Sequence, residues 1–311
     1  MPIPIVAVVG PTASGKTSLA VELALRNGGE VISADSMQIY AGMPVATAQP
    51  DEGERRGVPH HLIGFLPPSE DYSVARFVED AGACARDIAS RGRLPILAGG
   101  TGLYVDALLQ NIRFEPMPEN ADIRARLLRR AEEEGPQPLW DELAAVDPET
   151  AAAVHPRNVT RVVRALEVYL LTGETISARR RRSRAEPSPY KVCWIGLDYA
   201  DRAVLYDRIG RRVDRMLEDG LLDECRAQLA SPLSETSAQA IGYKELAPYL
   251  AGLLPLEDCV ENLKRATCRY AKRQLTWFRR NPEIHWMYPD RMPPAEILER
   301  SEKAMAITFE V

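Results

Sequence analysis

The chain has 311 residues, 45% of them apolar and 27% charged, with a formal net charge of −5. This length and balance allow one large or two modest domains with an ample core, and they exclude a disordered or fibrous chain. The negative balance excludes a surface that binds nucleic acid everywhere, and no run approaches the roughly 20 apolar residues of a membrane span.

The opening MPIPIVAVVG lacks a basic leader region. Its apolar run over 5–9 is predicted as a buried central strand, not a signal peptide. Gly10-Pro11-Thr12-Ala13-Ser14-Gly15-Lys16-Thr17 follows and fits G-x-x-x-x-G-K-[ST] between that strand and a helix predicted over 16–26. Gly10 and Gly15 let the backbone turn its N–H groups inward. The helix N-terminus adds positive field, and Lys16 neutralises phosphate charge. The Thr17 hydroxyl is placed to ligate Mg²⁺. The loop is therefore expected to hold a di- or triphosphate.

A second strand over 31–34 ends at Asp35, and a third over 94–98 ends in the turn Gly99-Gly100-Thr101-Gly102. Residues 192–197 and 284–287 are further strands. Short apolar strands alternating with helical patterns predict an α/β fold, a P-loop NTPase-like parallel sheet with helices on both faces. Right-handed crossovers bring the C-terminal ends of several strands to one edge, where open α/β sheets bind ligands. Asp35, beside the phosphate loop by topology, suits a metal-ligating or substrate-binding role in a kinase, a general-base role in a transferase, or a turn cap. His60 and His61 read as structural loop residues.

From 111 to 189 strand signals vanish. Val159, Val163, Leu166 and Leu170 recur at helical spacing, with Arg157, Arg161 and Arg164 on another face. Prolines at 116, 118, 187 and 189 bound this stretch, which is predicted as a helical insertion domain. Residues 1–110 and 190–311 form the catalytic core, with helices over 202–218, 221–229 and 256–280.

Charge is uneven along the chain. Between Arg157 and Arg184 eight arginines face two acids, and between Glu261 and Arg280 seven basic residues face one. A polyanion is drawn to two places and repelled elsewhere. Lys272, Arg273 and Arg279 flank Trp277 and Phe278, a mixture that suits phosphate contact and base stacking, or core packing for the two aromatics. The cluster 179–184 reads as a solvated linker or a segment that closes over RNA. Five scattered cysteines without CxxC or zinc spacing point to reduced thiols in the cytoplasm.

Four segments together resemble the tRNA dimethylallyltransferases: GPTASGKT at 10–17, DSMQIY at 35–40, GGTGLY at 99–104, and the pair QAIGYKE at 239–245 with YAKRQLTWFR at 270–279. His60-His61-Leu62 and RVVRALEVYLLTG at 161–173 are also similar to that family, so the likeness runs from about residue 5 to about residue 288. Without zinc-finger spacing before Val311, the chain resembles the bacterial type.

A monomer with no membrane partner is expected, and the resemblance implies transfer of a dimethylallyl group from dimethylallyl diphosphate to the exocyclic amine of the adenosine 3′ of the tRNA anticodon. Lys16, the loop and Mg²⁺ on Thr17 would stabilise the leaving diphosphate, with Asp35 as general base, Thr101 beside the reacting centre and Arg212 on the diphosphate. Arg208 and Arg211 are weaker candidates for that arginine. The implied tRNA contacts are Asp35, Ser36, Met37, Gln38, Thr101, Thr160, Arg161, Arg164, Gln239, Gly242, Lys244, Lys272, Arg273 and Arg279. The competing reading is a small-molecule kinase with ATP on the same loop; it leaves the second basic stretch without a role.

Overall fold

The computed structural model describes residues 2–114, 121–183 and 186–310. Pro116, Pro118 and Arg184, used above as landmarks, lie outside them. The chain divides into two compact units, 1–109 with 188–311, and 110–187.

The larger unit is built on β1 (Ile3–Val9), α1 (Lys16–Asn27), β2 (Gly29–Ser33), α2 (Pro44–Thr47), α3 (Glu52–Arg55), β3 (His60–His61), α4 (Val74–Ser90), β4 (Leu94–Gly99) and α5 (Gly102–Leu109). The smaller unit holds α6 (Ala121–Glu133), α7 (Pro136–Val146), α8 (Pro148–Ala153), α9 (Val159–Thr172) and α10 (Ile176–Ser183), with no strand among its described residues. The larger unit resumes with β5 (Tyr190–Leu197), α11 (Arg202–Glu218), α12 (Leu221–Leu229), α13 (Tyr243–Leu250), α14 (Leu256–Phe278), β6 (His285–Met287) and α15 (Pro294–Phe309).

Six parallel strands run in the order β3-β2-β4-β1-β5-β6. The alternation of β1 shows why the sheet is covered twice. Ile5, Ala7 and Val9 point into one core with Phe77, Tyr104, Leu263 and Phe278, while Val6 and Val8 point into another with Leu19, Leu23, Ile297 and Met305. Successive strand residues face opposite sides, so a strand apolar throughout must be packed on both. Each fully buried Val, Leu, Ile or Phe contributes about 1.5–3 kcal/mol.

Two expectations change. His60 and His61 are not loop residues but a two-residue edge strand on β2, where His61 Nε2 lies 2.8 Å from Glu30 Oε2. The buried Glu30 carboxylate also takes Arg91 at 2.5 and 2.9 Å, and Arg91 holds the carboxyl down to about 2. In α9 the buried residues are Val162, Val163, Ala165, Leu166, Glu167 and Val168, whereas Leu170 is 43% exposed. The apolar face is rotated from the expected one because residues 162 and 165, between the chosen positions, are also apolar. Helix α15, which carries no motif, closes the second face of the sheet beside α1.

Candidate active site

The phosphate loop leaves β1 through Gly10, whose φ is +146°; a Cβ there would meet Leu197 O at 2.4 Å, so only glycine fits. Ala13 (φ +61°) and Gly15 (φ +93°) also take left-handed conformations, which curl the backbone and turn its amides to one side. Gly15 caps α1 without a side chain, and no acid sits in the first turn, so the helix N-terminus keeps amides free for an anion. Ser14 is buried with its hydroxyl lacking a partner, and Pro11 of the same loop is buried too.

A cavity of about 340 Å³ opens above this loop at the C-terminal edge of the sheet, lined by Thr12, Lys16 and Thr17 from the loop and by Asp35, Ser36, Met37 and Gln38 after β2. Gly99 ends β4, Arg212 comes from α11, Gln239 and Lys244 flank the start of α13, and Tyr270, Arg273 and Gln274 come from α14. Four basic side chains thus face one carboxylate, Asp35. Ala46 of α2 and Met216, Leu221, Ile241 and Leu263 supply apolar wall. A cavity with a cationic end and an apolar wall suits an anionic group carrying a hydrocarbon chain.

Lys16 Nζ donates to Pro11 O at 2.5 Å. Burial, then the neighbouring Arg212, pushes its amine down to about 7, while Asp35 pulls it back up. Burial also lowers Arg212, and Asp35 opposes this. Arg208 and Arg211 are not among the lining residues: Arg208 Nε donates to Ala13 O of the loop at 3.1 Å, and Arg211 is exposed beside Asp207.

The segment after β2 is tied down closely. Asp35 Oδ1 accepts the Met37 amide at 2.9 Å, leaving Oδ2 for the cavity. Thr101 Oγ1 accepts the Ser36 amide at 3.0 Å. Gln38 spends its side chain on the protein itself: Oε1 accepts from Ser33 Oγ at 2.9 Å and Nε2 donates to Ala48 O at 2.9 Å. A base held here would therefore meet Gln38 through other atoms.

Gly242 (φ +124°) caps α13 behind the cavity wall, its amide bonded to Glu245 Oε2 at 2.9 Å. Arg273 lies 5.5 Å over the Tyr270 ring at the cavity rim, and Lys272 is exposed on the same helix. Arg279 is drawn away to the buried Asp198 at 2.5 Å. Of the two readings of the aromatics, the structure favours packing: Phe278 is 1% exposed in the core, and Trp277 packs against Gly102 and donates to Asp106 Oδ2 at 2.9 Å. In the smaller unit Thr160, Arg161 and Arg164 are all exposed on α9; Arg164 is paired with the buried Glu167 at 2.8 Å. In the cluster near α10, Arg181 and Arg182 pair with Glu149 and Glu174.

Sequence reasoning missed Tyr270, Gln274 and Glu224. The first two stand four apart on α14, one helical turn, inside a motif read for its basic residues and for Trp277 and Phe278. Glu224 carries no local signal at all.

The family model described as "IPP transferase" matches residues 38–281, and that described as "Isopentenyl transferase" matches 3–61. A tRNA dimethylallyltransferase of Halalkalibacterium halodurans is 49% identical over 283 residues, covering 91% of this chain and 90% of that protein. One from Acetivibrio thermocellus is 44% identical over 98% of both. The crystal structure of a tRNA isopentenylpyrophosphate transferase from Bacillus halodurans superposes with a TM-score of 0.74 at 44% identity, covering 99% and 98% of the two chains. A eukaryotic dimethylallyltransferase acting on tRNA gives 0.77 at 30% identity, covering 99% of this chain and 79% of that one.

Proposed function

The chain belongs to the tRNA dimethylallyltransferase family and is a tRNA-modifying transferase, and from that premise we propose that it moves the five-carbon group of dimethylallyl diphosphate onto the exocyclic amine of the adenosine 3′ of the anticodon. The observation that carries this reading is one cavity joining a phosphate loop, an apolar wall and a single carboxylate.

An adenine amine is a poor nucleophile, so the rate depends on the departing diphosphate and on the fate of the amine proton. The inward amides of residues 10–17, the α1 N-terminus, Lys16 and Arg212 are fixed countercharges for the diphosphate as the carbon–oxygen bond breaks. The free Oδ2 of Asp35 takes the proton as the new carbon–nitrogen bond forms, an effect of about 10²–10⁴-fold. Thr101 holds this carboxylate's segment through Ser36. Met216, Leu221, Ile241 and Leu263 suit the prenyl chain and keep water from the electron-poor carbon.

Mg²⁺ fits this donor set as a substrate-borne ion. Among the described residues no group of three or more His, Cys, Asp or Glu side chains could hold a metal, but Mg²⁺ needs few protein ligands when phosphate and water complete its shell. Thr17 would hold it through its hydroxyl, and the ion would add countercharge to the leaving diphosphate.

The smaller unit, with Arg157, Arg161 and Arg164 on or beside α9, is the proposed grip on the anticodon stem. The five cysteines are free thiols, which supports a reducing cytoplasmic setting, and among the described residues no helix is long and apolar enough to cross a membrane. The deciding experiment is mass analysis of nucleosides from tRNA incubated with the protein, Mg²⁺ and dimethylallyl diphosphate. One five-carbon unit gained on adenosine is expected; unmodified tRNA alongside phosphate transfer from ATP to a small acceptor would establish a kinase instead.

A further inference from the structure

We propose that Gln274 is a positioning residue for the transfer step, its buried side-chain amide setting the separation between the leaving diphosphate's loop and the turn that carries Thr101. The inference rests on the function proposed above.

Strands β1 and β4 are neighbours, and their ladder ends with the pair Val9–Gly99. Beyond that pair the two chains diverge into the phosphate loop and the 99–102 turn, each carrying reaction machinery. Gln274, 5% exposed, bridges them: Oε1 accepts the Thr12 amide at 2.8 Å and Nε2 donates to Gly100 O at 3.0 Å. The fit is close, since a Cβ on Gly100 would come within 2.1 Å of Nε2. The path continues from Thr101, whose amide donates to Ala34 O at 3.1 Å and whose Oγ1 accepts the Ser36 amide at 3.0 Å. One hydrogen-bonded chain therefore runs from the diphosphate loop to the segment of the proposed base, Asp35, and α14 supplies its central link.

Transfer needs the reacting atoms held about 3–3.5 Å apart, and a misplacement near 1 Å costs about 10²-fold. The amide does this with one donor and one acceptor. A neutral carboxylic acid offers the same pair, whereas a carboxylate sets lone pairs against Gly100 O. Gln274→Glu is accordingly a proton-controlled version of the native link, and Gln274→Met fills the same space with neither bond.

The test measures kcat, both KM values and melting temperature for wild type, Gln274→Met and Gln274→Glu, with tRNA and dimethylallyl diphosphate. Gln274→Met is expected to lose about 10²-fold in kcat with both KM values within about threefold. The kcat of Gln274→Glu relative to wild type is expected to rise as pH falls from about 8 to about 6, as the acid form returns. A Gln274→Met kcat within about threefold of wild type would overturn the proposal, as would a relative kcat of Gln274→Glu that is flat with pH. If Gln274→Met does not fold, the pH ratio of Gln274→Glu decides alone. Failure of the wild-type control to prenylate tRNA would instead overturn the proposed function.

Discussion

Thr101 and Ser36 meet twice: the Thr101 hydroxyl oxygen accepts the Ser36 amide at 3.0 Å, and its O–H reaches Ser36 Oγ at 3.4 Å. These bonds join the turn after β4 to the segment after β2, two places far apart in sequence. Thr101→Val keeps the shape and removes the acceptor, leaving a half-buried amide unpaired at a cost of about 1–3 kcal/mol. We expect kcat to fall by about tenfold or more, and Thr101→Ser to restore most of it; equal activity of the valine and serine variants would remove the hydroxyl from the mechanism.

Asp35 faces the cavity with one oxygen and holds Met37 with the other. Asp35→Asn preserves an oxygen for the Met37 amide and cannot take a proton at the other position. Transfer is expected to drop by about 10²-fold or more while tRNA affinity stays within a few-fold. A large loss of tRNA binding, measured by filter retention, would reassign the residue to recognition.

Lys16 gives donor binding a pH dependence. Its amine is pushed down to about 7 in the free protein, chiefly by burial. Bound diphosphate favours the charged amine and raises that value again. Donor affinity from this group is therefore fully present below about pH 7 and declines as pH rises above it, with proton uptake on binding. Titration calorimetry between pH 6 and 9, in buffers of different ionisation enthalpy, should show the uptake. Lys16→Met should weaken binding and flatten the profile.

Arg161 and Arg164, one turn apart on α9, should behave differently. Arg161 is exposed, so Arg161→Ala should lower the log–log salt slope of tRNA binding by about 0.7–0.9. Arg164 offsets the buried charge of Glu167, which also has Arg124 at 3.6 Å. Arg164→Ala should therefore lower the melting temperature as well as the affinity. A slope unchanged in Arg161→Ala would show that this side chain meets no phosphate.

Glu224 on α12 holds the cavity wall from behind. Its carboxylate accepts the amides of Val45 at 2.7 Å and Ala46 at 2.9 Å, at the start of α2, and the Tyr243 hydroxyl at 3.0 Å. Bonds to a charged acceptor are worth about 1.5–3 kcal/mol each when well formed, and partial exposure here reduces that. Glu224→Ala should lower the denaturation midpoint and raise the KM for tRNA. An unchanged midpoint would mean that α2 is held by other contacts.

The amino-acid order by itself determined the phosphate loop, the three strands that carry it, Asp35 and Thr101, and the helical character of the 111–189 stretch. Each of those is a local pattern: glycines where the backbone must turn, apolar runs of strand length, and one residue at a strand's end. Family resemblance put Arg212 ahead of Arg208 and Arg211, but spacing alone does not separate three arginines on one helix, and the tertiary structure lines the cavity with Arg212 while the other two face Ala13 and Asp207. It also decided that Phe278 is core, that Arg279 is drawn to Asp198, that Gln274 bridges two loops far from it in sequence, and that Glu224 holds the distant start of α2. Such partners have no spacing to read: a glutamine bridging two loops looks, along the chain, like any polar residue on a helix. Its meaning arises only when the parallel sheet brings the ends of β1, β2 and β4 to one edge and α14 is laid across them.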